Sequence, residues 1–317
     1  MENQGISTGV YVNPCVEEIP VHLRSGRRYL FSEAQKGGYF IKTKSDNNRK
    51  KKSSGKHNGG TSEDSSDIYT VPNGGDRAGL IDLSNHNACT WYKGVIQSEV
   101  FTYAGASFYM ADMGETAPVN GVYHRSDLHG LSRHNSYSEE WARVNREAIR
   151  DAGRDGDSFF IVKAGYSATP KHAGPTCLGD YVTNLKKRKD GGLKSVLNGI
   201  VNGGFSGFTY GHCAVSFAVP RTVNSLDNRS REMICRWMEM NAFTTLFRTH
   251  DGDNPDETAS GYGDKYLLKA LTRWATVYAT LADYRIRVSF SCYSFSMPCT
   301  FGSCFIHLIS SFFEIAT

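Results

Sequence analysis

The sequence predicts an α/β fold, in which the strands of a parallel sheet alternate with crossover helices in an open sheet or a barrel. Short β-rich runs alternate along the chain with stretches of helical periodicity, and polar residues follow several of the runs. The composition, 39% hydrophobic and 21% charged over 317 residues, is that of a globular protein large enough to bury a core. We therefore expect one large domain or two small ones.

The first element is a β-rich run at residues 9–14, closed by Asn13 and Pro14. This profile is typical of a buried parallel strand that ends in a loop. Residues 45–67 follow, with Ser, Asn, Lys, Gly and Asp and almost no apolar side chain. We expect a disordered polar insert there.

The alternation resumes after the insert. Residues 78–84 form a strand-like run, and the next stretch carries Trp91, Val95 and Val100 at helical spacing. Residues 106–112 are apolar, rich in aromatic side chains and end in a carboxylate, which predicts a buried strand.

A helix is predicted at residues 138–152, with Ser138 as its N-cap and Gly153 as its stop signal. Its apolar face consists of Trp141, Val144, Ala148 and Ala152. A strand follows at residues 158–162.

The next predicted elements are a strand at residues 207–214, a helix at 229–241 and a strand at 243–249 that ends in His250. The side chains expected to face inward from that helix are Met233, Ile234, Trp237 and Met240.

Charge and cysteine content argue against several classes of partner. Much of the net charge of +4 comes from residues 47–56, so a nucleic-acid-binding face is not expected. The uncharged stretch after Arg287 is interrupted by Pro298 and Gly302 and is too broken for a membrane anchor. The 8 Cys show no metal-ligand spacing, and we expect free, buried thiols and no metal site.

Polar side chains that could take part in catalysis follow the predicted strands. These are Asp112 and Glu115, Lys163, Asp180, His212 and Cys213, and Arg248 with His250 and Asp251. In a parallel barrel they would meet at the carboxyl ends of the strands. Two carboxylates with a His and a cation suit glycoside hydrolysis, in which one carboxylate attacks and the other protonates the leaving oxygen. A metal-dependent hydrolase would also collect Asp and His, although no ligand pair at helical or hairpin spacing is present.

A series of motifs in a fixed order along the chain gives a more specific indication than these single residues. They are Gly79-Leu80-Ile81-Asp82-Leu83, Tyr109-Met110-Ala111-Asp112-Met113-Gly114-Glu115, Gly179-Asp180, Arg236-Trp237, Ala242-Phe243 and Phe247-Arg248-Thr249-His250. In this order and at compatible spacing they resemble glycoside hydrolase family 31, and the Ala-Asp-x-Gly-Glu and Arg-Thr-His forms resemble its sulfoquinovosidase-like branch. The similarity spans residues 9–285 without the polar insert.

The resemblance implies a retaining α-glycosidase on a (β/α)8 TIM barrel that binds a carbohydrate substrate and needs no metal or organic cofactor. Asp112 matches the family's nucleophile and Asp180 its general acid/base. His250 matches a residue that binds sugar hydroxyls, and Arg248, Lys163 and Glu115 complete the expected substrate-binding set. Glu115 is expected to orient its loop by hydrogen bonding.

Several positions depart from the family pattern. Lys163 stands where an Arg is usual, and its ammonium cannot form a planar bidentate fork. Ala214 stands where the family has a substrate-binding Asp, Tyr109 replaces a Trp, and Cys177 lies in the loop before Asp180 where an aromatic residue is common. These changes keep open a catalytically impaired relative that binds carbohydrate or acts as a regulator, and a non-functional truncated product.

The resemblance also implies a domain organisation. Residues 1–44 are expected to start a barrel fragment, 45–67 to form the polar insert, 68–287 to form the catalytic barrel region and 288–317 to form an atypical tail. About strands three to eight of the barrel are expected, without the family's N-terminal β-sandwich.

Overall fold

A computed structural model describes residues 5–23, 28–43, 67–73, 76–125, 130–178, 192–216, 228–250 and 261–287. The chain divides into two compact units, 1–173 and 174–317. The predicted insert (apart from Asp67), the predicted acid/base Asp180 and the predicted tail lie outside the described residues, so the predicted domain boundaries stay predictions.

The described part of the first unit contains β1 (Gly9–Val12), β2 (Cys15–Glu17), α1 (Leu30–Gly37), β3 (Thr70–Asn73), β4 (Asp76–Leu80), α2 (His86–Val95), a π-helix (Ile96–Tyr103), β5 (Phe108–Ala111), α3 (Gly130–Asp151) and β6 (Phe159–Val162). That of the second unit contains β7 (Pro175–Cys177), α4 (Leu193–Phe205), β8 (Tyr210–His212), β9 (Val215–Ser216), α5 (Asn228–Asn241), β10 (Thr249–His250) and α6 (Lys265–Thr280).

A parallel sheet organises the first unit, in the order β1-β5-β6. Stacked rings fix the β5–β6 register. The ring centroids of Phe108 and Phe159 lie 5.3 Å apart, and those of Tyr109 and Phe160 lie 5.8 Å apart. On the other side of β5, Gly9 leaves room for the ring of Phe108, because a Cβ there would lie 2.3 Å from that ring. The predicted α/β alternation is confirmed in these strands.

The strand predicted at residues 78–84 forms as β4, but it belongs to a separate antiparallel sheet of order β2-β4-β3. Its predicted last residues form a turn instead. The carboxylate of Asp82 accepts hydrogen bonds from the Ser84 backbone N–H and hydroxyl, and these bonds bend the chain away from the strand.

The predicted helix around Trp91 forms as α2 and continues without a break into the π-helix. Val95 and Val100 are buried as expected, and Trp91 is half-buried. The Asn85 side chain caps α2 by accepting from the Asn87 N–H.

The helix predicted at residues 138–152 forms as α3, but it begins eight residues earlier, at Gly130, and the prediction that Ser138 is its N-cap is wrong. Ser138 is buried inside the helix, where its hydroxyl donates to the Asn135 carbonyl. The additional turns make contacts that local sequence does not reveal: the Tyr137 hydroxyl donates to the carbonyl of Ile81, 56 positions away in the chain. The predicted stop is confirmed, since Gly153 adopts φ 67° just after the helix.

The described strands of the second unit form two parallel pairs, β7 with β8 and β9 with β10. The strand predicted at residues 207–214 forms as the shorter β8. The helix predicted at 229–241 forms as α5, with Ile234 and Trp237 buried as expected. Met238 is also fully buried, although it was not among the predicted inward residues.

The strand predicted at residues 243–249 is wrong except at its end, where β10 forms. Side chains form hydrogen bonds with the backbone carbonyls that a longer strand would use to pair with its neighbour. The Thr244 hydroxyl lies within hydrogen-bond distance of the carbonyls of Asn241 and Leu246, and the Tyr278 hydroxyl donates to the Thr245 carbonyl.

Five described cysteines form no disulfide: Cys15, Cys89, Cys177 and Cys213 are buried, and Cys235 is half-buried. Within the described residues, no helix is both long and apolar enough to cross a membrane.

Candidate active site

The register of β5 and β6 places Asp112 beside Lys163. Ala111 pairs with Val162, so the residues that follow leave the sheet at the same level. The Lys163 Nζ lies 3.3 Å from the Asp112 Oδ2. These two predicted site residues, taken from separate strand ends, therefore form an ion pair.

β1 adds a contact from the other side of β5. Val12 pairs with Ala111, and the Asp112 N–H donates to the Val12 carbonyl at 2.9 Å. The Tyr11 hydroxyl donates to the Asp112 Oδ2, also at 2.9 Å, although the two residues are 101 positions apart in the chain. Tyr11 was not among the predicted site residues. The strand was expected to be buried, yet Tyr11 is 56% exposed.

The residue after Asp112 has an unusual backbone. Met113 adopts φ 58°, in the left-handed region that residues other than glycine rarely adopt. This conformation turns its N–H toward the Asp112 Oδ1, which accepts a hydrogen bond at 2.7 Å. Strained residues of this kind concentrate at functional sites, where the surrounding structure holds them in place.

Asp112 is buried, and both of its carboxylate oxygens accept hydrogen bonds. It is 6% exposed, and a carboxylate so placed would be costly without compensating donors. The Tyr11 hydroxyl, the Lys163 ammonium and the Met113 N–H supply them. The arrangement can hold an ionised carboxylate in one orientation at a strand end.

The neighbouring titratable groups stay protonated. Burial, followed by the charge of Asp112, raises the pKa of Tyr11 above its usual range, so its hydroxyl remains a donor. Burial is also the main reason why the pKa of the Cys15 thiol is raised to about 12. Cys15 is therefore not a thiolate nucleophile at neutral pH.

Glu115 lies in the turn after Asp112 and is exposed. Its carboxylate has no hydrogen bond or ion pair within the described part of the chain. The expected role of Glu115 in orienting the loop stays a prediction.

The other predicted site residues belong to the second unit. Arg248 is half-buried just before β10, and its Nη2 donates to the Cys177 Sγ at 3.3 Å. Cys177 was expected in a loop, but it is the last residue of β7. His250 ends β10 and is exposed, and Ala214 is half-buried between β8 and β9.

A further histidine of this unit, His212, stands out at the end of β8. It is completely buried, and neither ring nitrogen makes a hydrogen bond of normal geometry with the residues that the structure describes, although the backbone of Thr176 lies near enough to oppose the fall in its pKa. Burial, and next the charge of Arg248, lowers the pKa of His212 to about 4. The ring is therefore neutral at physiological pH. Its position at a strand end is visible in the sequence, whereas its burial without partners is not.

Metal ligands are not gathered in the described residues: no group of three or more His, Cys, Asp or Glu side chains is placed to hold an ion.

Comparison with known proteins extends this picture. Residues 1–285 match the profile of the glycosyl hydrolases family 31 TIM-barrel domain. Over 281 residues the chain is 28% identical to the sulfoquinovosidase of Escherichia coli K12, a match that covers 89% of this chain and 36% of that protein. Over 206 residues it is 29% identical to the sulfoquinovosidase of Agrobacterium fabrum, covering 65% of this chain and 30% of that protein.

Solved structures give the same result. A family 31 sulfoquinovosidase from E. rectale, in complex with the aza-sugar inhibitor IFGSQ, superposes with a TM-score of 0.70 at 29% identity, covering 89% of this chain and 37% of that one. The cycloalternan-degrading enzyme of Trueperella pyogenes in complex with isomaltose superposes with a TM-score of 0.68, covering 92% of this chain and 38% of that one. At 14% identity this match shows similarity of fold alone.

The chain spans about a third of the length of the curated relatives that it matches. The family profile nevertheless covers most of this chain and confirms the predicted α/β fold class. The chain belongs to glycosyl hydrolase family 31 and carries sequence of the TIM-barrel domain of that family.

Proposed function

We propose that this chain contributes the catalytic carboxylates of a retaining α-glycosidase, with Asp112 as the nucleophile. The observation that carries the proposal is the state of Asp112, a buried carboxylate at a strand end that is oriented by donors from both neighbouring strands. An orienting shell of this kind is what an attacking group requires, because the reacting atoms must be held close to the geometry of attack.

The proposed reaction is a double displacement. An oxygen of Asp112 attacks the anomeric carbon and forms a glycosyl ester, while the bond to the leaving oxygen breaks and that oxygen takes a proton from Asp180. Asp180 then removes a proton from water, whose oxygen attacks the anomeric carbon and releases Asp112. Neither a metal nor an organic cofactor takes part in these steps.

The proposed substrate-binding residues are Lys163, Glu115, Arg248 and His250. Lys163 contacts the carboxylate of Asp112, and its ammonium can also donate to a hydroxyl of a sugar that binds beside this carboxylate. Glu115, Arg248 and His250 carry polar groups that can bind sugar hydroxyls. An O-linked α-glycoside is the proposed substrate class, and the names of the similar proteins make an α-sulfoquinovoside the first candidate.

The test is release of p-nitrophenol from a panel of p-nitrophenyl α-glycosides that includes the α-sulfoquinovoside. The purified chain is compared with Asp112→Asn and with Asp157→Asn, which changes an exposed carboxylate of the same unit. We expect Asp112→Asn to lower kcat by at least about 10³-fold, because an amide is a poor nucleophile. The Asp157→Asn control should behave as the unmodified chain.

The anomer formed first, followed by proton NMR, reports the stereochemistry. An α-product supports double displacement, and a β-product contradicts it. Turnover that survives Asp112→Asn would exclude Asp112 as the nucleophile. Sugar binding without turnover, from a chain that unfolds cooperatively, would select a non-catalytic carbohydrate-binding relative instead.

A further inference from the structure

We propose that Tyr11 is a positioning residue for Asp112: together with Lys163 it holds Oδ2 of the carboxylate and leaves Oδ1 as the attacking oxygen. This inference rests on the proposed function, and it assigns a role to a residue that no sequence motif singled out.

Counting lone pairs distinguishes the two oxygens. Each carboxylate oxygen has about two acceptor sites. Oδ2 accepts from both the Tyr11 hydroxyl, at 2.9 Å, and the Lys163 ammonium, at 3.3 Å. Oδ1 accepts from the Met113 N–H, at 2.7 Å, which leaves it one acceptor site. Oδ1 is therefore the oxygen with a lone pair available for bond formation.

The two donors on Oδ2 also come from opposite sides. Tyr11 lies on β1 and Lys163 follows β6, and these strands flank β5, from which Asp112 projects. A carboxylate held by one donor can rotate about its Cβ–Cγ bond. With donors on both sides and a backbone N–H on the second oxygen, that rotation is opposed in both directions.

This arrangement explains how a lysine can serve where a guanidinium is usual. An arginine supplies two parallel N–H donors to a carboxylate, whereas lysine supplies a point charge. Here Tyr11 provides the second directed donor. Because a hydroxyl bonded to an ionised acceptor makes a strong, directional hydrogen bond, the pair can replace the fork.

The test uses Tyr11→Phe in the full chain, with a 2,4-dinitrophenyl α-glycoside of the sugar that the panel identifies. This leaving group departs without protonation, so the rate reports attack by Asp112 and not proton donation. We expect kcat/KM, which reports the steps up to formation of the glycosyl ester, to fall by about 10- to 100-fold, because one hydrogen bond to a charged group is removed. Tyr103→Phe, which removes an exposed hydroxyl before β5, is the matched control and should match the unmodified chain.

A second comparison separates positioning from a general effect on structure. In an Asp112→Asn background, Tyr11→Phe should change the residual rate little, because the two residues act through one carboxylate. An equal loss in both backgrounds would overturn the proposal, and so would a Tyr11→Phe chain as active as the unmodified one. If Tyr11→Phe does not unfold cooperatively, 3-fluorotyrosine at position 11 replaces it, and an unchanged kcat/KM then overturns the proposal.

The two proposals fail in different ways. If Asp112→Asn retains turnover, the proposed nucleophile is wrong and Tyr11 has no positioning role. If Asp112→Asn abolishes turnover while Tyr11→Phe matches the unmodified chain, only the role of Tyr11 is wrong. A folded chain without turnover overturns both.

Discussion

Asp112 in the first unit and His212 in the second are both buried polar side chains at the end of a parallel strand, but their hydrogen bonding differs. Asp112 accepts hydrogen bonds from a tyrosine, a lysine and a backbone N–H. The ring nitrogens of His212 make no hydrogen bond of normal geometry within the described residues. An ionised carboxylate is costly to bury without donors, whereas a histidine becomes neutral simply by releasing its proton near physiological pH. Burial at a strand end therefore does not by itself identify a working group, and the assembled set of donors is what supports the role proposed for Asp112.

The largest effect on stability should come from removing Asp112. Asp112→Leu leaves the partly buried Lys163 ammonium without the carboxylate that it faces, and we expect the free energy of unfolding to fall by about 2–4 kcal/mol. Urea unfolding followed by circular dichroism measures this loss. A variant as stable as the unmodified chain would show that the donors around Asp112 do not contribute to folding, and the contrast with His212 would disappear.

An intermediate effect is expected at His212 as the pH is lowered. Because the folded-state pKa of His212 is lowered from 6.5 to about 4, the unfolded chain binds the proton first as the pH falls through this window. The contribution of His212 to stability is complete above about pH 6.5 and is lost toward pH 4, at up to about 1.4 kcal/mol per pH unit.

His212→Met removes this titration, so its unfolding free energy should fall less steeply than that of the unmodified chain between these pH values. Near pH 7.5 the variant should gain about 1 kcal/mol, since it removes two buried nitrogens that lack a hydrogen bond of normal geometry within the described residues. Urea unfolding at a series of pH values tests both points. Parallel curves for the two chains, or a variant that is less stable at pH 7.5, would mean that His212 has partners after all.

The smallest effect is expected at Glu115, which shares a turn with Asp112 but is exposed. Glu115→Gln should change the free energy of unfolding by no more than about 0.5 kcal/mol, because exposed side chains without partners contribute little to stability. The same urea experiment applies. A loss above about 1 kcal/mol would show that exposure is a poor guide to partnering in this turn.

Local patterns were sufficient where local interactions decide the structure. The apolar run that ends in Asp112 predicted both the strand and the burial of its last residues, and the Gly153 stop signal fixed the end of α3. The start of α3 was missed, because its first turns contact distant parts of the chain, as in the hydrogen bond from the Tyr137 hydroxyl to the Ile81 carbonyl. Periodicity within a short window contains no information about such contacts.

The candidate site divides in the same way. Asp112 and Lys163 follow strand-like runs and could be selected from the sequence alone. Tyr11 could not be selected, because its proposed role depends on a contact with Asp112, which is 101 positions away in the chain. Strand alternation predicts that Tyr11 faces one side of a sheet, but the neighbour that it meets there depends on which strand pairs with β1, and in which register.

The stacked rings on β5 and β6 have a consequence for how this chain tolerates change in length. Phe108 against Phe159 and Tyr109 against Phe160 hold the two strands in one alignment, and that alignment sets the Asp112–Lys163 distance. Inserting or deleting one residue within either strand would send the following side chain to the opposite face of the sheet. Point substitutions among the four rings should therefore be tolerated better than any single-residue insertion, and natural or engineered length variation belongs in the connections outside these two strands.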